Sequence, residues 1–216
     1  MSDDCDFPKT KAIHKKTREK VFIKKIEKKK LDSGNLKQIF FKECELLKSV
    51  LCENAVKLIE ICEDEKYYYI VTEPFDGKRL DSFLKSRGCL SETFVKKILR
   101  QILPVLKEIE AQGKVLEFLS PQSFWFKNFI NEDNFCIKFY DYGLSSMYVD
   151  EKFQRNYLLN EGIPGNVLSQ KTNVLSIGLI VYLMLFGENL YNFTEKENPE
   201  ETINKSIYLY DPRKDK

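Results

Sequence analysis

The sequence is poor in the residues that build metal centres and disulfide frameworks. It contains one histidine, His14, and its six cysteines form no CxxC pair and are not closely spaced with that histidine. The cysteines are Cys5, Cys44, Cys52, Cys62, Cys89 and Cys136. Structural zinc sites need closely spaced thiolate and imidazole ligands, and small disulfide-bonded domains need paired cysteines. The sequence therefore argues against both classes of protein.

Long apolar segments are also missing. The longest apolar run, residues 174–186, is interrupted only by Ser176 and Gly178, and it falls short of the roughly 20 residues that span a bilayer. We predict a buried helix there and no membrane partner. Because no charged-then-apolar leader opens the chain, we expect an intracellular, cytoplasmic protein with reduced thiols.

The net charge is small, although 31% of the residues are charged: the sum is only +2. Such a balance gives no global field that would attract nucleic acid or a membrane. The charge is uneven, since residues 9–30 contain eleven Lys or Arg and two Glu. This run is either a patch for an anionic partner or the solvated face of strands and a loop. The second interpretation is favoured, because no aromatic residues alternate with the lysines as base stacking would require. We expect no DNA or RNA partner.

Glycine is absent from the first 33 residues, and Gly34 is the first of nine. A glycine-rich loop cradles phosphates with backbone N–H groups that side chains would otherwise obstruct. The sequence therefore excludes such a loop before Gly34.

Apolar and aromatic residues are abundant, at 43% and 13%, which is enough for one domain or two closely packed lobes. Alternating patterns predict two strands within residues 12–26 around a polar turn at 16–20, a hairpin from 56–61 and 67–71, and a strand over 135–140. Helical spacing predicts helices over 36–51, over 91–113 with a kink at Pro104, and over 174–186. Residues 74–77 break the pattern between a strand-rich first part and a helical second part.

Several short motifs follow one another in the order found in the protein kinase superfamily, which the chain resembles over about residues 12–187. They are Val21-Phe22-Ile23-Lys24, then Glu43, Tyr69-Ile70-Val71-Thr72-Glu73, Asp141-Tyr142-Gly143, and Asn173-Val174-Leu175-Ser176-Ile177-Gly178. In this resemblance Lys24 binds nucleotide phosphates, Glu43 pairs with it, and Asp141 holds a metal ion. Thr72 takes the gatekeeper position and Glu73 begins the hinge, so Lys24, Glu43, Thr72 and Glu73 are the implied cofactor-binding residues.

The resemblance implies an α+β, two-lobed kinase-like fold. The implied parts are a small β-rich N-lobe with one helix over residues 1–75, a mainly helical C-lobe over 76–190, and a polar tail or partial helix over 191–216. From the resemblance we expect a fold truncated at both ends, without the family's first strand and last C-lobe helices, either as a property of the protein or through an incomplete gene prediction. An apolar column of Leu47, Leu58, Leu116 and Tyr142 is expected to join the lobes.

The catalytic loop departs from the family pattern at its chemical residues. The family's HRDLKPEN corresponds to residues 116–123, which places Phe118 at the base aspartate, Ser120 at the lysine and Ser123 at the second metal-binding asparagine. A phenyl ring accepts no proton, so no catalytic residue is assigned. Ser123 is expected to satisfy a backbone group. Glu117 reverses the charge of the arginine that docks a phosphorylated segment.

The nucleotide pocket departs as well. Phe22 replaces the small alanine of the lysine strand, and Trp125 replaces the aliphatic residue expected below adenine. The two rings are predicted to fill the adenine slot, and the alternative is that both turn into the general core. Residues 4–8, which include the acidic Asp4 and Asp6, lie where the phosphate loop would be. Ile163-Pro164-Gly165 and Asn173 replace the Ala-Pro-Glu motif and the aspartate of the central helix.

These features favour a pseudokinase, a kinase-like domain that acts as a binding or allosteric module in signalling without transferring phosphate. The partner would be another protein, such as an active kinase or a signalling component, and no cofactor is expected. Two alternatives keep Lys24, Glu43 and Asp141 in use with ATP and Mg²⁺. One is a divergent Ser/Thr kinase with another base such as Glu117, and the other is an ATP-binding regulator without transfer.

Overall fold

The computed structural model describes residues 9–32, 36–74, 77–116, 118–142 and 170–190. The strands are β1 (Lys9–Ile13), β2 (Lys20–Glu27), β3 (Leu58–Glu63), β4 (Tyr67–Thr72), β5 (Phe124–Asn131) and β6 (Asn134–Phe139). The helices are α1 (Leu36–Ser49), α2 (Leu80–Arg87), α3 (Glu92–Ala111) and α4 (Gln170–Phe186), with 3-10 turns at Lys28–Asp32 and Pro121–Ser123. The predictions for residues 4–8, the lobe boundary at 75–76, Glu117, Gly143, 163–165 and the tail 191–216 lie outside the described residues.

Strands β1 to β4 form one antiparallel sheet in the order β1-β2-β4-β3. Side chains alternate across a strand, and in β2 Phe22, Lys24 and Ile26 are buried while Ile23 and Lys25 are half-buried. Both hairpins that the alternating pattern predicts are present. The buried face of β2 is the face that later elements cover.

Helix α1 packs on this inner face of the sheet. Its apolar stripe is buried at Ile39, Phe40, Cys44 and Leu47, as the three- and four-residue spacing predicts. The Phe40 ring lies 4.6 Å from the ring of Tyr68 in β4. The same stripe carries Glu43 into the interior.

The second part of the chain contains two elements that the sequence pattern did not predict. Helix α2 buries Leu80, Phe83 and Leu84, but eight residues are too few for helical spacing to be distinctive. Strand β5 buries Phe124 and Phe126 and pairs with β6 around the polar turn at residues 131–134. The predicted strand over 135–140 is present as β6, and β5 is a second strand in the mainly helical second part, where the paired aromatic strands pack against α2 and α3.

Helix α3 begins after Ser91, whose Oγ accepts the N–H of Phe94 at 3.2 Å, and this cap confirms the predicted start. Its five predicted core positions are all buried: Val95, Ile98, Ile102, Val105 and Ile109. Pro104 lies within the helix, which continues to Ala111, and the kink stays a prediction.

Helix α4 is buried on one side only. Leu179, Ile180 and Met184 are buried, whereas Val174 is 73% exposed, so the prediction of a buried helix holds for one face. The backbone carbonyl of Met184 accepts the N–H of Leu90 at 2.7 Å, which ties the end of α4 to the start of α3. Among the described helices, none is both long and apolar enough to cross a membrane.

A continuous apolar core joins the two lobes. Leu47, Leu116 and Tyr142 of the predicted column are buried, and Leu58 is half-buried against them. The Tyr142 ring lies 4.6 Å from that of Phe139 in β6. The fold is thus α+β with a β-rich N-lobe and a mainly helical C-lobe, and the cleft lies where β2, α1 and the end of β6 meet.

Candidate functional site

Lys24, Glu43 and Asp141 form a buried charged cluster at the centre of the cleft. The Lys24 Nζ atom lies 2.9 Å from Glu43 Oε1 and 3.8 Å from Asp141 Oδ1. The strand alternation turns Lys24 inward, the buried face of α1 supplies Glu43, and Asp141 lies two residues after the end of β6. The structure therefore brings together three residues that are 19 and 98 positions apart in the sequence.

Two carboxylates compete for one ammonium group in this cluster. Burial raises the pKa of Glu43 to about 8, with Lys24 opposing the shift and the carboxylate of Asp141 adding to it. Burial by itself would lower the pKa of Lys24, but Asp141 and Glu43 outweigh it and raise that pKa. The lysine is consequently cationic, and the cluster carries less negative charge at neutral pH than two ionised carboxylates would.

The catalytic-loop region is organised by packing and backbone hydrogen bonds. Phe118 is 1% exposed and belongs to the apolar core. Ser123 Oγ accepts the N–H of Ser120 at 3.3 Å, and Ser120 Oγ accepts the N–H of Gln122 at 3.2 Å. The prediction that Ser123 satisfies a backbone group is confirmed. The Ser123 carbonyl also accepts the N–H groups of Tyr140 and Asp141 at 2.8 and 3.4 Å, which fixes the backbone of Asp141.

The expected adenine slot is bordered by aromatic rings. Phe22 is 7% exposed and lies beside Thr72 in the sheet, while Trp125 is half-buried against the core. The ring of Trp125 lies 5.9 Å from that of Tyr140, and Lys24 Nζ lies 5.6 Å from the Tyr140 centroid. Tyr140 was missed by the sequence reasoning, although its position directly before Asp141 could have identified it.

Thr72 is the last residue of β4 and lies opposite Phe22 of β2. It is 2% exposed, and its hydroxyl has no hydrogen-bond partner among the described residues. This placement agrees with the gatekeeper position, and the cofactor-binding role assigned to Thr72 stays a prediction.

The side chain of Glu73 forms ion pairs with two lysines of the β5–β6 hairpin in the C-lobe. Its Oε2 lies 2.7 Å from Lys127 Nζ, and its Oε1 lies 2.8 Å from Lys138 Nζ and accepts the N–H of Lys57 at 3.0 Å. Burial opposes ionisation here, but Lys127 and Lys138 outweigh it and lower the pKa of Glu73. The side chain thus fastens the hinge to β5 and β6.

A buried ion pair that the sequence did not suggest lies just after the hinge. Arg79 donates to Asp81 through Nε at 2.6 Å and through Nη2 at 2.7 Å, a bidentate geometry that fixes the guanidinium plane. Arg79 also forms a β-bridge with Trp125. A Cβ atom at Gly77 would lie 1.8 Å from the Phe126 carbonyl oxygen, so only glycine permits this close approach of the hinge segment to β5.

The sequence and the fold were compared with known proteins. The protein kinase domain family model matches residues 9–215. The chain belongs to the protein kinase family. Calcium-dependent protein kinase 4 of Plasmodium berghei is 27% identical over 194 residues, which cover 88% of this chain and 37% of that protein. A probable myosin light chain kinase of Dictyostelium discoideum is 29% identical over 182 residues, or 82% of this chain and 51% of that protein.

A solved kinase structure has the same fold. The crystal structure of Rad53 in complex with AMP-PNP matches with a TM-score of 0.72 and 25% identity, covering 94% of this chain and 50% of that one. This kinase domain thus spans 37% to 51% of the length of these three proteins.

The residues present fit a nucleotide and its metal ions only in part. Kinases hold two Mg²⁺ ions with an aspartate and an asparagine, and a carboxylate orients the attacking hydroxyl. Asp141 and Lys24 could contact one ion and the phosphates. The Ser123 hydroxyl is already hydrogen-bonded to Ser120, and Phe118 offers no oxygen. Lys24 is already held between Glu43 and Asp141, and among the described residues of the loop no carboxylate takes the base position.

Proposed function

We propose that this kinase domain is a pseudokinase, a binding or allosteric module that does not transfer phosphate. The observation that carries the proposal is the state of Phe118, whose side chain is 1% exposed within the apolar core. In an active kinase the corresponding side chain is a carboxylate that contacts the substrate hydroxyl. A buried ring at this position supplies no base, and its side chain packs in the core instead.

The state of the adenine slot supports the same proposal. Phe22 lies on the N-lobe side and Trp125, beside Tyr140, lies on the C-lobe side. Large side chains in these positions reduce the space for a planar base between the lobes. The proposed partner is another protein, such as an active kinase or a signalling component, in an intracellular, cytoplasmic setting.

The test is a radiometric transfer assay with the whole chain, [γ-³²P]ATP, Mg²⁺ or Mn²⁺, and generic Ser/Thr substrates. We expect no incorporation above that of a matched Lys24→Met variant, because the base position holds no carboxylate. Incorporation that depends on Lys24 would overturn the proposal and identify a divergent kinase.

A second candidate, an ATP-binding regulator without transfer, is favoured by the 2.9 Å contact between Lys24 and Glu43 and by Asp141 at 3.8 Å. It differs from the first candidate in a thermal shift with ATP, with and without Mg²⁺. A ligand at 100 times its dissociation constant stabilises the folded state by about 2.7 kcal/mol, which in a chain of this size raises Tm by roughly 5–10 °C.

We expect ATP to leave the Tm of this chain unchanged. A shift that Lys24→Met abolishes would favour the ATP-binding regulator, and an equal shift in both variants would indicate binding outside the cleft. In each case the transfer assay reports separately on catalysis.

A further inference from the structure

The basic run of residues 9–30 is divided by the fold into parts with different surroundings. Lys24 enters the cleft, Lys25 lies over the ring of Tyr67 at 3.7 Å, and Lys28 lies 2.6 Å from Glu63. The aromatic neighbours of this part come from β4, across the sheet, and the sequence did not reveal them. These cations are already engaged by groups within the chain.

The turn between β1 and β2 carries cations that are not engaged in this way. Lys15, Lys16, Arg18 and Lys20, here called the basic turn, are all exposed. Within the part of the chain that the structure describes, their side chains form no ion pair and no hydrogen bond. Residues 15–20 carry these four cations and one exposed carboxylate, Glu19, so their summed charge of +3 produces a local positive potential that the net charge of +2 conceals.

The backbone of the basic turn is held by its own hydrogen bonds. The His14 N–H donates to the Glu19 carbonyl at 2.8 Å, and the His14 carbonyl accepts the Arg18 N–H at 2.9 Å. The Thr17 N–H donates to His14 Nδ1 at 3.3 Å, and Thr17 Oγ1 accepts the Glu19 N–H at 3.4 Å. An ordered turn loses little conformational entropy when it binds a partner.

Arg18 adopts a backbone conformation that arginine disfavours. Its φ angle is 62°, in the left-handed region that glycine and asparagine adopt more readily than other residues. Residues held in such conformations are concentrated at functional positions. Ile13, which ends β1 beside the turn, is 62% exposed and offers an apolar contact next to the four cations.

We propose that the basic turn is a docking site for an acidic, carboxylate-rich segment of a partner protein. Four unpaired cations complement a run of Asp and Glu side chains, and Ile13 can contact an apolar residue within such a segment. A protein fits better than a nucleic acid, because the rings of Tyr67 and Tyr68 lie at the opposite end of β2, opposite Glu27 and Ile26. Residues 14–20 contain no Phe, Tyr or Trp ring on which bases bound at the turn could stack.

The site is also remote from the cleft. Lys20 and Lys24 lie four positions apart on β2, a distance of about 13 Å along an extended strand. Docking at the basic turn therefore holds whether or not the chain binds nucleotide or transfers phosphate. The two proposals can also fail separately, because the transfer assay tests the pseudokinase function and the peptide titration tests the docking site.

The experiment measures fluorescence anisotropy of a labelled peptide of alternating Glu and Asp residues, titrated with the whole chain at low salt. The triple variant Lys15→Glu, Lys16→Glu, Lys20→Glu is compared with the wild type. The matched control reverses three exposed lysines elsewhere, Lys37→Glu, Lys66→Glu, Lys78→Glu, so that both variants have the same net charge.

We expect the turn variant to weaken peptide binding by at least about tenfold, because it reverses the charges in contact. The control, titrated again at about 0.1 M salt, should change binding by less than about threefold, since the Debye length is then about 10 Å and more distant charges are screened. An Arg18→Gly variant should also bind more weakly while keeping or raising Tm, because glycine accepts the left-handed conformation.

Three results would overturn the proposal. The first is equal weakening in the turn variant and the charge-matched control, which would indicate a general field. The second is tighter binding of a single-stranded oligothymidine than of the acidic peptide. The third is an Arg18→Gly variant that loses Tm together with affinity, which would assign the turn a folding role only. Absence of any peptide binding at low salt would equally refute it.

Discussion

Replacement of Phe118 by alanine should be strongly destabilising, although the residue lies in a loop that family relatives use for catalysis. The side chain is 1% exposed and lies in the apolar core. Burying a phenylalanine contributes about 1.5–3 kcal/mol by transfer from water, and the cavity left by truncation brings the expected loss to about 3–5 kcal/mol. For a chain of this length the loss corresponds to a Tm decrease of roughly 6–20 °C.

The assay is urea unfolding followed by tryptophan fluorescence and far-UV circular dichroism, with the free energy of unfolding extrapolated to water. Phe186, which is 61% exposed at the end of α4, supplies the matched control. Phe186→Ala should cost about 1 kcal/mol or less, because little apolar area is lost.

The aspartate variant separates packing from chemistry. Phe118→Asp should be less stable than Phe118→Ala, since it buries an unpaired carboxylate, and it should not gain phosphoryl transfer. The reasoning is refuted if Phe118→Ala is within about 1 kcal/mol of the wild type, the range of exposed substitutions, or if Phe118→Asp becomes an active kinase.

Three further predictions concern the charged cluster of the cleft and the hinge segment at Gly77. Lys24→Met leaves two buried carboxylates without their cation and should cost about 3–5 kcal/mol, part of which Glu43→Gln should restore in the double variant; additive losses in urea unfolding would contradict the coupling. The pKa of Glu43 is raised to about 8 in the folded chain. The protonated Glu43 side chain therefore stabilises the fold below the ordinary pKa of a glutamate, and this stabilisation is lost as pH rises through 8. Unfolding of Glu43→Gln should consequently depend less on pH over this window, and an unchanged pH profile would exclude the shift. Gly77→Ala would place a methyl group 1.8 Å from the Phe126 carbonyl and should lower Tm by several degrees, whereas Gly88→Ala, which meets no atom within 4 Å, reports only the cost of a left-handed alanine.

Local patterns predicted most of the N-lobe and helix α3 of the C-lobe. The β1–β2 and β3–β4 hairpins follow from alternation, and α1 and α3 follow from apolar spacing and the Ser91 cap. These signals are local, because strand and helix periods are written in consecutive residues. The order of the short motifs then identified the fold that the family comparison confirms.

The patterns failed where an element depends on its neighbours. Helix α2 is short, and β5 is stable because its aromatic residues pack in a cluster with those of α2, α3 and β6; for instance, the Phe83 ring lies 4.6 Å from that of Phe126. The contact between Tyr140 and Trp125 also depends on neighbouring elements, since only pairing of β5 with β6 brings the two rings together.

The sequence by itself determined which chemical groups this protein has: a lysine, a glutamate and an aspartate in kinase order, and a phenylalanine where the base would be. It also determined the strands and helices whose periods are local. Only the tertiary structure decided how charges are used, because electrostatic energy depends on distance and burial and not on position in the chain. It placed Glu73 on two C-lobe lysines, Lys24 between two carboxylates, and the four cations of the basic turn at a surface without partners among the described residues.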